Sequence, residues 1–186
     1  MVLEPPFVLT ETPHSAVEFL SYVNKSWSNT VVVRESLCSP HIELLSVSVR
    51  PFYLPREFPQ IFVTVVYIHP KADVDIATRA ISKTVNRLQA IAPDAPNLVM
   101  GDFNHCKPGK TLCSFEQYAT CSTRLTNCLD LCYGSVKGAY KSLQRAPFST
   151  SDHYCVYLVP HYKPVLRKHK PECKIVRKSA SRIVSA

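Results

Sequence analysis

The segment from Ile61 to Met100 constrains the architecture more than any other part of this chain. Ile61-Phe62-Val63-Thr64-Val65-Val66-Tyr67 is a nearly continuous apolar run, the pattern of a strand buried on both faces. Asp73 or Asp75 then stands where a helix N-cap is needed, and Ala77, Ile81, Val85, Leu88 and Ile91 fall on one stripe of a helix over about 75–91. Pro93 and Pro96 stop that helix before a second apolar run, Asn97-Leu98-Val99-Met100. Strand, amphipathic helix, strand is an α/β signature.

Other strands frame this unit. Val31-Val32-Val33 reads as one, and Leu45, Val47 and Val49 alternate as in a strand with one covered face. Pro51, Pro55 and Pro59 confine residues 51–60 to an extended connection without ladder pairing. Beyond Gly101 the pattern predicts a short helix near Leu112 to Tyr118, then strands over 129–133 and 154–159. At 186 residues and 46% hydrophobic, the chain is long and apolar enough for one domain with a real core. No run approaches the roughly 18 apolar residues of a membrane span, and Met1-Val2-Leu3-Glu4-Pro5-Pro6 lacks the basic start of a signal peptide. An intracellular protein, nuclear or cytoplasmic and not secreted, is therefore expected. Its eight cysteines read as reduced thiols rather than a disulfide framework or a zinc site, since no Cys-x-x-Cys pair occurs.

The net charge of +8 is unevenly placed. Residues 161–186 hold Lys163, Arg167, Lys168, Lys170, Lys174, Arg177, Lys178 and Arg182 against Glu172 alone, a net of +7. Such a segment attracts phosphate backbones without regard to sequence, and it reads equally as a solvated linker. The expected division is an atypical segment over 1–16, a domain over 17–160 and a basic tail over 161–186.

Two short motifs carry the chemistry. Gly101-Asp102-Phe103-Asn104 ends the second apolar run, and Ser151-Asp152-His153, 47 residues later, precedes Cys155-Val156-Tyr157-Leu158-Val159. One lies at a strand's C-terminal end and the other at a strand's start, so both can meet at one rim of a sheet. A carboxylate, an amide and a carboxylate–imidazole pair would converge there on a phosphate and a metal ion. Hydrolysing a phosphodiester needs an in-line water, neutralisation of the phosphate oxygens and help for the leaving oxygen. Asp102 can orient the water or contact the metal, and Asn104 can hold a phosphate oxygen. His153 can donate a hydrogen bond or exchange a proton near neutral pH. The plainer alternative makes Asp102 a turn cap.

These motifs resemble the endonuclease/exonuclease/phosphatase superfamily, which includes deoxyribonuclease I. The stretch from Ile42 to Phe58, Val66-Tyr67-Ile68-His69-Pro70, Thr123-Arg124 and Leu129-Asp130-Leu131-Cys132-Tyr133-Gly134 are similar to the endonuclease domain of LINE-type (non-LTR) retrotransposons of fish. The likeness runs from about Val17 to about Arg167. It implies a deoxyribonuclease I-like sandwich of two sheets flanked by helices, incomplete here on its N-terminal side.

The resemblance also assigns roles. Asp130 would orient His153, Asp152 would contact the metal, and Tyr67 would hydrogen-bond the phosphate. Thr123 would bind substrate, and Ser151 would shape the turn before Asp152. The metal-binding glutamate would be Glu11 of Thr10-Glu11-Thr12, with only five residues between it and Val17; a chance match is the alternative. The cofactor would be Mg²⁺ or Mn²⁺ and the partner DNA. A full-length relative would carry a reverse transcriptase domain downstream, absent from this chain. The activity expected is metal-dependent DNA nicking; the alternative is a catalytically degenerate fragment that binds nucleic acid non-specifically through its tail.

Overall fold

The computed structural model describes residues 7–11, 20–28 and 30–164, with side chains from residue 23 onward. Its elements run β1 (Phe7–Glu11), β2 (Leu20–Asn24), β3 (Val31–Cys38), β4 (Ile42–Val49), β5 (Ile61–Ile68), α1 (Val74–Ile91), β6 (Asn97–Asp102), β7 (Glu116–Gln117), β8 (Asp130–Gly134), β9 (Tyr140–Pro147) and β10 (Tyr154–Pro160). Six strands form the main sheet in the order β3-β4-β5-β6-β8-β7. All its pairs are antiparallel except β5 with β6, whose parallel pairing is the one that α1 crosses over to make.

The helix forms where the sequence marks it. Asp73 caps it, its carboxylate accepting from the backbone N–H groups of Asp75 and Ile76. Ala77, Ile81 and Val85 bury against Ile42, Leu44, Val66, Ile68 and Val99 on one face of the sheet, while Leu88 packs on Phe62 and Ala95. Ile91, expected on this stripe, is exposed because the helix ends there.

On the opposite face, Leu45, Val47, Val49, Ile61, Leu98 and Cys132 form a second core. Val23 of β2 joins it from one side, and Tyr140, Val156 and Leu158 of the β9–β10 hairpin from the other. The second layer thus consists of two separate two-stranded sheets, β1-β2 and β9-β10. The fold is a mixed α/β sandwich with one α-helix among the described residues.

Several local expectations change. Every residue of β4 is buried, so its alternation does not mark a solvent face. Ser46 shares a 2.8 Å hydrogen bond with Thr64, and Ser48 accepts one from Arg34 Nε, which lets both hydroxyls sit inside. The helix expected near Leu112 to Tyr118 is replaced by a 3₁₀ turn over Pro108–Lys110 and the short edge strand β7. Tyr118 decides this: its N–H donates to Cys132 O, and its ring fills the space over Gly134. Strand β9 has no counterpart in the sequence pattern, because Lys141, Gln144 and Arg145 hide its period; it is a largely exposed strand held by β10. At the other end, His161 and Tyr162 are tied to the domain through Ala139 O, and Tyr162 donates to Glu57 at 2.7 Å. The remainder of the basic segment, from 165 on, lies outside the described residues.

Gly101 is the tightest point of the sheet. Its φ is +140°, and a Cβ there would lie 1.9 Å from Val66 O on the neighbouring strand. Gly101→Ala is therefore expected to cost more than about 3 kcal/mol, since both backbone strain and a backbone clash oppose it. Gly109→Ala, with open space around it, should stay within about 1 kcal/mol of the parent. Urea midpoints for the two variants check this; equal midpoints would contradict it.

Candidate active site

Strand register builds the site. Glu43 on β4 pairs with Tyr67 on β5, Tyr67 with Asp102 on β6, and Asp102 with Asp130 on β8. Directly paired residues share a face, so these four side chains form one row across four strands, on the face that carries the β9–β10 hairpin. The row lies at the rim where β5 and β6 end and β8 begins.

Beyond Asp102 the chain turns sharply. Phe103 is fully buried in the helix-side core and donates its N–H to Leu129 O. Asn104 takes up a left-handed φ of 48°, a conformation Asn tolerates better than most residues. Its N–H donates to Asp102 Oδ1 at 2.9 Å, and its side-chain amide donates to Ile68 O at 2.8 Å, at the end of β5. Asn104 thus fixes both the Asp102 carboxylate and the mouth of the β5–β6 pair. Among the described residues, its second amide hydrogen and its amide oxygen have no partner.

His153 joins this row from the second layer. Its Nδ1 lies 2.8 Å from Asp130 Oδ2, and both side chains are about a quarter exposed. A carboxylate on Nδ1 favours the Nδ1–H tautomer and leaves Nε2 for a substrate oxygen. Thr123 is the joint that makes the pair possible. Fully buried, its hydroxyl oxygen accepts from the N–H groups of Leu129 and Asp130, both at 2.9 Å, while its carbonyl accepts from Tyr154 N. It therefore holds the starts of β8 and β10 together. Thr123, expected to contact substrate, is buried in this positioning role. Ser151 accepts from His153 N at 3.1 Å and shapes the turn.

Asp152 points elsewhere. Its carboxylate lies 2.6 Å from an Arg124 guanidinium nitrogen, with both side chains well exposed. Such a pair contributes no more than about 1 kcal/mol. The chain bends at Asp152 and His153 just before β10, with His153 on Asp130 and Asp152 on Arg124. Asp152, expected to contact the metal, is paired with Arg124 at the surface. Glu11 ends β1 opposite Leu20, but its side chain lies outside the described set. His69 stacks edge-on to Tyr67, ring centroids 6.5 Å apart.

The electrostatics favour a cation. Burial raises the pKa of Asp102 above the ordinary 3.8; the Asn104 N–H opposes this, the nearby Asp130 charge adds to it, and His153 and Arg124 oppose it. Among the described residues no three His, Cys, Asp or Glu side chains converge tightly enough to hold a metal unaided. Mg²⁺ does not require that: one or two carboxylates, completed by water and substrate phosphate, suffice. A half-buried carboxylate whose negative charge is disfavoured by its surroundings is a fitting hard-oxygen donor, so Asp102 fits such an ion.

No protein-family model matches the sequence, and no curated protein matches it. Solved structures do. The endonuclease domain of TRAS1, a telomere-specific non-LTR retrotransposon, is 11% identical with a TM-score of 0.60, covering 86% of this chain and 82% of that one. D. rerio TDP2, complexed with a single-strand DNA product, is 13% identical with a TM-score of 0.58, covering 82% and 76%. An endonuclease/exonuclease/phosphatase family protein from Bacteroides thetaiotaomicron is 11% identical with a TM-score of 0.54, covering 83% and 74%. These neighbours belong to the endonuclease/exonuclease/phosphatase superfamily, and the likeness establishes that this chain has the deoxyribonuclease I-like fold.

The raised pKa of Asp102 has a stability consequence. The folded chain holds this proton more tightly than the unfolded chain, so stability falls as pH rises from 3.8 through the folded value. In EDTA, Asp102→Asn should melt above the parent at pH 7 and lose that advantage below pH 3.8. Thermal melts across this range check it; a variant less stable at neutral pH would contradict it.

Proposed function

We propose that this chain is a divalent-metal-dependent phosphodiesterase that nicks DNA, derived from the endonuclease domain of a LINE-type retrotransposon and acting inside the cell. The observation that carries the reading is the convergence of Asp102, Asn104 and the Asp130–His153 pair at one rim of a deoxyribonuclease I-like sandwich. The motif flanks from Ile42 to Phe58 favour the retrotransposon origin.

In this reading Asp102 would hold Mg²⁺ or Mn²⁺, which neutralises charge on the phosphate oxygens when bound. Asp102 Oδ1 is fixed by the Asn104 N–H, leaving Oδ2 toward the reacting centre, where it can also orient the attacking water. The Asn104 amide holds a non-bridging phosphate oxygen, and the Tyr67 hydroxyl donates to the same group. As the imidazolium, with Nδ1–H anchored on Asp130, His153 donates Nε2–H to the charge that develops as the P–O bond breaks. Asp130 holds that ring in orientation. Arg124, paired with the exposed Asp152, stands beside the site as a cation for the DNA backbone.

The test is conversion of supercoiled to nicked plasmid. The parent should nick in Mg²⁺ or Mn²⁺ and not in EDTA, and Asp102→Asn or His153→Ala should each lower the rate at least ~100-fold. Nicking that persists in EDTA, or in both variants, contradicts the site. A parent chain that binds DNA without nicking it supports the degenerate alternative.

Non-specific affinity is expected to reside in the basic segment that holds Arg167, Lys168, Lys170, Lys174, Arg177 and Lys178. A chain ending at Pro164 keeps the Tyr162–Glu57 bond. Its DNA affinity should depend less steeply on salt, by about 0.9 in log–log slope for each phosphate it no longer neutralises. An unchanged slope would make the segment a bystander.

A further inference from the structure

One acid of the rim row has no task in this mechanism. Glu43 is only 5% exposed, and its Oε2 is enclosed without a hydrogen-bond partner among the described residues. A carboxylate oxygen in that state costs free energy unless a donor or a cation satisfies it. Packing does not explain the residue. Strand alternation puts Glu43 on the face of Leu45, Val47 and Val49, where an apolar side chain would bury without penalty.

Its register explains it better. Glu43 is directly opposite Tyr67, which is directly opposite Asp102. At about 4.8 Å per strand, the Glu43 and Asp102 backbones stand roughly 10 Å apart on one face, with only the Tyr67 position between them. One hydrated ion can span a gap of that size between a glutamate and an aspartate carboxylate. Both offer only hard oxygen, the donor type that Mg²⁺ and Mn²⁺ select. Asp102 alone is one protein ligand; Glu43 makes two, from opposite sides of the tyrosine.

We propose that Glu43 is a metal-site residue, its carboxylate engaging a divalent cation held at Asp102, directly or through one water. The inference rests on the metal-dependent reading of the site but is tested without catalysis.

Mn²⁺ binding to the full 186-residue protein, free of DNA, is followed by electron paramagnetic resonance for the parent and Glu43→Gln. The amide keeps shape and removes charge, so the variant should bind Mn²⁺ at least ~10-fold more weakly. In EDTA it should melt at or above the parent temperature, and Mn²⁺ should raise its melting temperature less than the parent's. Equal Mn²⁺ affinity in parent and variant, or a parent that binds no Mn²⁺, overturns the assignment.

A measurement on the parent alone covers a variant that fails to fold. Substoichiometric Mn²⁺ should broaden the carboxyl ¹³C signals of Glu43 and Asp102 together; broadening of Asp102 without Glu43 overturns the inference. Weakened Mn²⁺ binding in Glu43→Gln, with a parent that never nicks DNA, upholds Glu43 and sinks the nuclease reading. Intact nicking with unchanged Mn²⁺ affinity in the variant does the reverse.

Discussion

The close approach of β6 to β5 at Gly101 is the constraint on which the site depends. Two parallel strands joined by a helix can slide relative to each other unless something fixes their register. Here Gly101 lets the two backbones meet where any side chain would strike Val66 O, and Asn104 closes the end of the pair by donating to Ile68 O. That register brings Asp102 level with Tyr67, and the antiparallel β8 brings Asp130 level with Asp102. The chemistry of the rim is therefore a consequence of backbone pairing before any side chain chooses a rotamer.

Among the described side chains, the second layer supplies His153 to this row, and one buried hydroxyl connects the layers. Thr123 accepts from two N–H groups at the start of β8 and, through its carbonyl, from one at the start of β10. It thereby sets the distance over which Asp130 and His153 can meet. Around this rigid frame the charges are poorly accommodated: Asp102 is desolvated and close to Asp130, and Glu43 keeps an enclosed oxygen without a partner among the described residues. Carboxylates so arranged weaken the fold, and in the proposed metal-dependent reading a divalent cation would relieve them. Stability is given up at the place where binding is needed.

The central fold was legible because its signals are local. The apolar run of β5, the capping Asp73, the stripe of α1 and the prolines before β6 each declare themselves within a few residues. The strand β9 and edge strand β7 did not, since Lys141, Gln144 and Arg145 of the one and the two residues of the other carry no apolar period. Their pairing is decided by β10 and by Tyr118 against Gly134. In the site, Asp102, Asn104, Asp130, Tyr67 and His153 could be singled out as residues, because two motifs and a resemblance marked them. Side-chain direction could not. Ser151-Asp152-His153 reads as one functional unit in sequence, yet Asp152 and His153 take opposite sides, toward Arg124 and Asp130. Glu43 was visible in principle, as an acid at the apolar parity of an alternating strand. That parity signal was obscured by Ser46 and Ser48, which made the other face look like the wet one.

The most direct test of the shared site is a crystal of the protein grown with Mn²⁺ and a short DNA duplex carrying a non-hydrolysable phosphorothioate. The account requires an anomalous Mn²⁺ peak against Asp102 and one phosphate within about 3 Å of His153 Nε2, with His153 Nδ1 still on Asp130. A metal bound away from Asp102, or DNA whose backbone passes the rim without approaching His153, would contradict it.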